Sequence, residues 1–186
     1  MLEALSKLGY VKNIFPFDEE QVQELEVISC HVKNLALEER KNIFSLYPEL
    51  RILIDKKLQE LDLHYRSTNY CFYIEKNFSK NWPLALHQDL NFPDYLEQDH
   101  NQKLQEKGLW FRINLDKSDH QNGALKVVPQ SHKTCSKDNP IFLDNERGEV
   151  ILFKPLLFHG SNKMICNQRR RVFQVLCKPL FQNPHK

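Results

Sequence analysis

The hydrophobic period of this 186-residue chain changes once, near residue 69, from helical spacing to short apolar or alternating runs. A chain that places its helices first and its strands afterwards is expected to form an α+β domain built on a β-sandwich or barrel. In the first part, Asp18 followed by Gln21 has the form of a capping box. Val22, Leu25, Ile28 and Val32 then recur on one face, which predicts a helix over about 18–32. Leu37, Phe44 and Tyr47 suggest a second helix. Pro48, tolerated in a first turn, opens a third helix carrying Leu50, Leu53, Leu58 and Leu61. Ahead of them, Gly9-Tyr10-Val11 reads as an isolated strand.

Beyond residue 69, strands are expected at 70–75, 83–89, 109–115, 124–128, 149–158 and 171–177. Asn122-Gly123 is a turn signal leading from the 109–115 strand into 124–128, which Pro129 stops. The run from Glu149 to Phe158 is apolar almost throughout, so it is expected to be covered on both faces in a sheet-on-sheet core. The length suits one domain over 1–186, with a mostly helical part over about 1–65 and a strand-built part over about 66–180.

Several function classes drop out on composition. Twenty-six basic side chains against 24 acidic ones leave a formal charge of +2, far from the cationic surface expected of a nucleic-acid or anionic-membrane binder. The expected partner is small or neutral. No apolar run is long enough to span a membrane, and Met1 to Lys7 lacks the order of a secretory signal, so the expected address is the cytoplasm. Five widely spaced cysteines without a C-x-x-C pair suggest reduced thiols rather than disulfides or a thiolate zinc site. With only 5 glycines, a Gly-rich phosphate cradle cannot be built.

The chemistry concentrates in three places. His87 and Asp89 end an apolar segment, and on a strand they point to the same face. Such a His-x-acid pair arises about once by chance in a chain with this many histidines and acids. His159 ends the most apolar run and is followed by Gly160, which permits a tight turn. Two imidazoles and a carboxylate on neighbouring strands form a facial triad that suits Fe(II) and leaves coordination positions open. On spacing alone, three unrelated polar residues at strand ends remain the alternative. Arg169-Arg170-Arg171 opens the last strand, and alternation turns Arg170 away from Arg169 and Arg171, so that one or two of the three face inward. A solvated basic patch accounts for any two of them, whereas an inward guanidinium calls for a carboxylate.

Other candidates have ordinary readings as well. One of Tyr70, Tyr73 and Lys76 can reach the site, although sheet alternation explains all three. Trp82, Trp110, Phe111 and Arg112 either line a pocket or, for the aromatics, pack in the core. His31, His64, His100, His120 and His185 receive no role, and His132 is expected to fix a loop.

Three ordered segments carry a resemblance: Trp82 to Leu90, Asn122 to Lys133, and Gly148 to Ser161. Together they resemble the phytanoyl-CoA dioxygenase family of Fe(II)- and 2-oxoglutarate-dependent oxygenases, over about residues 70–178, with a weaker echo in Leu8 to Val11 and the first long helix. The resemblance implies a double-stranded β-helix, a cupin-like jelly roll, with the N-terminal helices packed on one sheet. It further implies His87, Asp89 and His159 as iron ligands and as the catalytic centre. Arg170, eleven positions after His159, takes the family place of the arginine that holds the distal carboxylate of 2-oxoglutarate, in agreement with the strand parity. Ser161 matches a position beside the same cosubstrate.

The implied function is hydroxylation of a small organic substrate, consuming O2 and 2-oxoglutarate and releasing succinate and carbon dioxide. Asp89 favours hydroxylation over halogenation, because halogenating relatives carry a small residue there. The chain departs from the family in its short length, in Gln130 where the family often has Gly, and in Leu86 where an aromatic often precedes the first ligand His. The polar segment from Asn91 to Lys107 is expected to be irregular, leaving the site open. The alternatives are a non-catalytic cupin-like binding module for a metal or small molecule, and a Zn- or Mn-dependent hydrolase or isomerase on the same barrel.

Overall fold

The computed structural model describes residues 1–14, 17–36, 39–41, 43–96 and 101–180. In chain order its helices are α1 (Leu2–Leu8), α2 (Glu19–Val32), α3 (Pro48–Glu60), α4 (Asn101–Lys107) and α5 (Ser131–Thr134). Its strands are β1 (Tyr10–Ile14), β2 (Tyr65–Lys76), β3 (Leu84–His87), β4 (Leu109–Asn114), β5 (Lys126–Val127), β6 (Ile141–Phe142), β7 (Val150–Phe153), β8 (His159–Ser161) and β9 (Arg170–Pro179). Short 3-10 turns lie at Glu39–Lys41, Ile43–Ser45 and Asp94–Leu96.

The strands form two antiparallel sheets, one in the order β1-β7-β4-β9-β2 and the other in the order β3-β8-β5-β6. The larger sheet is covered on both faces, which is why every residue of β4 and β7 is buried. On one face Phe111, Ile113, Leu152, Phe173 and Val175 pack with Val22, Leu25 and Ile28 of α2 and Leu50, Ile54 and Leu58 of α3. On the other face Trp110, Ile151, Phe153 and Leu176 meet Leu125, Val127, Leu143 and Leu157 of the smaller sheet and its loops. This is the expected double-stranded β-helix with its helices on one sheet.

Local chemistry explains the helix starts. Asp18 accepts from the Gln21 backbone N–H at 2.9 Å, and the Gln21 side chain accepts from the Asp18 N–H at 3.3 Å, closing the capping box of α2. Such a cap contributes about 1 kcal/mol. Pro48 begins α3, where its missing N–H costs no helical bond.

The structure departs from the expected elements where periodicity is weakest. The second helix is replaced by two 3-10 turns, in which Ile43 and Phe44 are buried; Leu37 lies outside the described residues, as do His100 and His185. The 149–158 run is a strand only over Val150–Phe153, since Pro155 ends the ladder and the chain turns before β8 begins at His159. Asn122-Gly123 does not join a hairpin, because β4 and β5 belong to different sheets. Its loop is closed instead by the Asn122 side chain, which donates to Lys117 O and accepts from the Asp119 N–H. The stretch expected to be irregular contains α4, a polar helix whose Leu104 is buried and so gives almost no periodic signal. Among the described residues no helix is long and apolar enough to cross a membrane.

Candidate active site

His87 and His159 come together because β3 and β8 pair antiparallel with these residues opposite each other. Gly160 permits this approach: a Cβ there would lie 2.5 Å from Leu84 O and 3.0 Å from Ala85 O. Its role is closeness of two strands rather than the tight turn its sequence position suggests, for it lies inside β8. Asp89 follows two residues beyond β3, and its backbone N–H donates to Pro155 O at 3.0 Å. Its carboxylate falls between the imidazoles, with Oδ1 3.5 Å from His87 Nε2 and Oδ2 3.4 Å from His159 Nε2.

All three ligand atoms lie within 4.8 Å of one another, which fits a single metal ion. The tautomers suit that use. Nδ1–H of His87 donates to Ala85 O and Nδ1–H of His159 to Leu157 O, each at 2.9 Å, so both Nε2 lone pairs face the shared space. Trp110 Nε1–H donates to Asp89 Oδ2 at 2.8 Å and fixes the carboxylate from behind. Burial pushes His159 down to about 4, which keeps it neutral and ready to ligate at ordinary pH. His87, more exposed, is raised by the Asp89 carboxylate. Burial alone raises Asp89, but contact with His87 and the charges that the two imidazoles carry in the acid range outweigh it and leave Asp89 below its usual value.

The triad opens into a cavity of about 150 Å³ whose wall also includes Lys76, Arg112, Arg170, Ser161 and Gln174. Among the described residues, three basic side chains thus share a small space with one carboxylate. Arg170 is buried, and its Nε and Nη1 have no hydrogen-bond partner among the described residues. Burial lowers it to about 10, against a weaker opposing pull from Asp116. Lys76, its register partner on β2, donates to Ser161 Oγ and to Asn162 O, each at 2.8 Å. Strand parity at 169–171 is as expected. Arg171, also buried, turns to the other side, where it binds Asp116 and Glu26, and Arg169 approaches Asp116 from the surface at 3.7 Å. A solvated patch therefore describes Arg169 only.

Of the three side chains considered on β2, Lys76 reaches the cavity. Tyr70 packs with Phe72 and Trp110, and Tyr73 lies on the opposite face against Phe173, donating to Glu75. His132, expected to fix a loop, lies in α5 and ties it to α1 by a hydrogen bond to Ser6 O. Gln174 was not anticipated from sequence. Its place four residues after Arg170 on an alternating strand was the available signal.

The sequence matches the phytanoyl-CoA dioxygenase family over residues 14–172. The chain belongs to this family. Solved structures extend the likeness to the whole described fold. EvdMO1 superposes with a TM-score of 0.75 at 18% identity, covering 98% of this chain and 49% of that one, so this phytanoyl-CoA dioxygenase family member spans about half the length of EvdMO1. HygX from Streptomyces hygroscopicus, with nickel and 2-oxoglutarate bound, gives 0.72 at 15% identity, covering 97% and 86% of the two chains. EctD from S. alaskensis, with bound Fe, gives 0.72 at 17% identity, covering 95% and 75%. At these identities the shared property is the fold. No curated protein sequence matches the family member described here.

Proposed function

We propose that the protein is an Fe(II)- and 2-oxoglutarate-dependent dioxygenase that hydroxylates a small organic substrate in the cytoplasm. The observation that carries this reading is the buried guanidinium of Arg170, its Nε and Nη1 without a hydrogen-bond partner among the described residues, in the same cavity as the His87, Asp89 and His159 triad. A buried cation without a counter-ion is costly unless an anion is supplied, and a carboxylate suits the planar fork of arginine. Family membership and the metal and 2-oxoglutarate held by HygX support the same assignment.

In this reading His87, Asp89 and His159 would hold the metal through Nε2, one carboxylate oxygen and Nε2. Fe(II) in such a site supplies the activation of O2, coupled to loss of carbon dioxide from 2-oxoglutarate and transfer of one oxygen atom each to succinate and to a substrate C–H bond. Arg170 and Lys76 bind the distal carboxylate, and Ser161, which accepts from Lys76, orients the ammonium. Trp110 prevents Asp89 from rotating away. Burial of His159 and of the cation cluster excludes water from the inner end. The substrate is placed at the outer end, where Trp82 and Leu84 are partly exposed and a groove of about 430 Å³ shares Phe72, Ile74 and Trp82 with the cavity.

Formation of [14C]carbon dioxide from 1-[14C]-2-oxoglutarate tests the proposal. Release that requires Fe(II) and O2, and that disappears in His87→Ala and Asp89→Ala, is the expected result. A folded, iron-binding protein that releases none, with or without candidate substrates, would favour the non-catalytic binding module.

A further inference from the structure

Arg112 is a second buried guanidinium in this cavity, and the iron-ligand and distal-carboxylate assignments leave it without a task. It lies mid-strand on β4, opposite Gln174 on β9, and is 3% exposed. Nη1 donates to Gln174 Oε1 at 2.8 Å, while Nε has no hydrogen-bond partner among the described residues. The charged groups that act on it or feel it are Arg170, Lys76 and His159, all of them cationic or neutral. The carboxylate in the wall, Asp89, is already shared between two imidazoles and an indole. A neutral amide does not compensate a buried guanidinium, and arginine does not shed its proton to escape the cost. No carboxylate among the described residues compensates it, which points to a bound anion as the source of the missing charge.

Position distinguishes Arg112 from Arg170. Along β9, Arg170 stands beside Lys76, whereas Gln174, beside Arg112, lies four residues further, roughly 13 Å of strand. The residue next to Arg112 on the same face of β4 is Trp110, whose indole holds the metal-ligand carboxylate of Asp89. Arg170 keeps company instead with Lys76 and Ser161. One cation therefore serves the triad end of the cavity and two serve the far end.

We propose that Arg112 binds the carboxylate of 2-oxoglutarate that lies beside the metal, so that the diacid is held by a guanidinium at each end. This deepens the proposed function and rests on it. Glutamine at position 112 preserves polarity and removes the charge, and Arg112→Lys restores the charge without the fork.

The test compares 2-oxoglutarate with 2-oxopentanoate, which has the same carbon chain and keto acid end but no distal carboxylate, in anaerobic titrations of the Fe(II)-loaded protein. Arg170→Gln is expected to weaken 2-oxoglutarate by about tenfold or more and to leave 2-oxopentanoate unchanged. Arg112→Gln is expected to weaken both ligands by about tenfold or more, with partial recovery in Arg112→Lys. Thermal melting of the unliganded variant provides the second readout, and Arg112→Gln is expected to melt at or above the wild type because it removes an uncompensated buried charge. Unchanged binding of 2-oxopentanoate by Arg112→Gln overturns the proposal, as does a variant that melts well below wild type yet binds both keto acids normally. A wild-type protein that binds iron but neither keto acid overturns the functional reading and this inference together.

Discussion

His87 and His159 are register partners across β3 and β8, with ring centroids 4.3 Å apart, and the Asp89 carboxylate reaches both from a residue outside either strand. The triad is thus a property of two short strands held at close range, with one loop residue fixed beside them by hydrogen bonds to Pro155 O and to the Trp110 indole on β4. Its precision depends on groups that do not themselves ligate.

Trp110 is one of these groups. Trp110→Phe keeps the aromatic packing against Phe72 and Phe153 while removing the hydrogen bond to Asp89 Oδ2. Loss of a partner that orients a metal ligand costs about 10- to 100-fold in metal affinity. Competition with a fluorescent chelator should show Fe(II) affinity reduced by about that factor, while far-UV circular dichroism stays unchanged.

Lys76 ties cosubstrate binding to pH. Burial, and then the charges of Arg170 and Arg112, push its ammonium down to about 7. Above that value the free protein holds Lys76 neutral, and an arriving carboxylate draws the proton back. Affinity for 2-oxoglutarate should therefore be greatest below about 7 and fall as pH rises through that value. Calorimetry in buffers of different ionisation enthalpy should register net proton uptake on binding about one pH unit above this value, and Lys76→Met should abolish that uptake.

Arg171 supplies the contrast to its neighbour. Its guanidinium donates to Asp116 at 2.7 and 2.9 Å and pairs with Glu26, joining α2 to the sheet. Arg171→Met removes both pairs, while Arg147 still reaches Glu26 and Arg169 still approaches Asp116, and should destabilise the fold by about 2 kcal/mol in urea unfolding. The folded fraction should still bind 2-oxoglutarate with wild-type affinity; a large loss there would contradict the separation of roles on the two faces of β9.

Gln130 occupies a left-handed backbone conformation, φ 67°, just before α5, which a side chain adopts at a cost. Its N–H donates to Leu8 O, so the conformation is held by the junction between α1 and the second sheet. Gln130→Gly should raise stability by about 1 kcal/mol, measured as a higher urea midpoint with an unchanged slope. This is the position where the family often has Gly.

Much of this was legible in the chain because the signals were local. The Asp18 to Gln21 cap, Pro48 and the apolar faces of α2 and α3 depend on neighbours within a turn, and the structure reproduces them closely. Strand parity separates Arg170 from Arg169 and Arg171 but leaves the inward side open, since Arg170 and Arg171 are both buried; the family spacing of eleven after His159 is what singles out Arg170. Legibility fails where the partner is distant in sequence. Trp110 reads as core, and only the fold brings Asp89 within 2.8 Å of its indole. Arg112 is one charged residue in an otherwise apolar strand, and its missing counter-ion becomes visible only when its neighbours are seen to be Gln174 and Arg170. Gly160 suggests a turn until the Leu84 carbonyl is found against it.

The central claim is that the triad and Arg170 hold iron and 2-oxoglutarate in one site. Anaerobic addition of Fe(II) and then 2-oxoglutarate to the metal-free protein, followed by visible absorption spectroscopy, tests it most directly. A charge-transfer band from the keto acid chelated to iron should develop in the wild type, shift to higher 2-oxoglutarate concentration in Arg170→Ala, and be absent in His159→Ala. A folded wild-type protein that binds Fe(II) and gives no band, or a His159→Ala protein that gives the wild-type band, would contradict it.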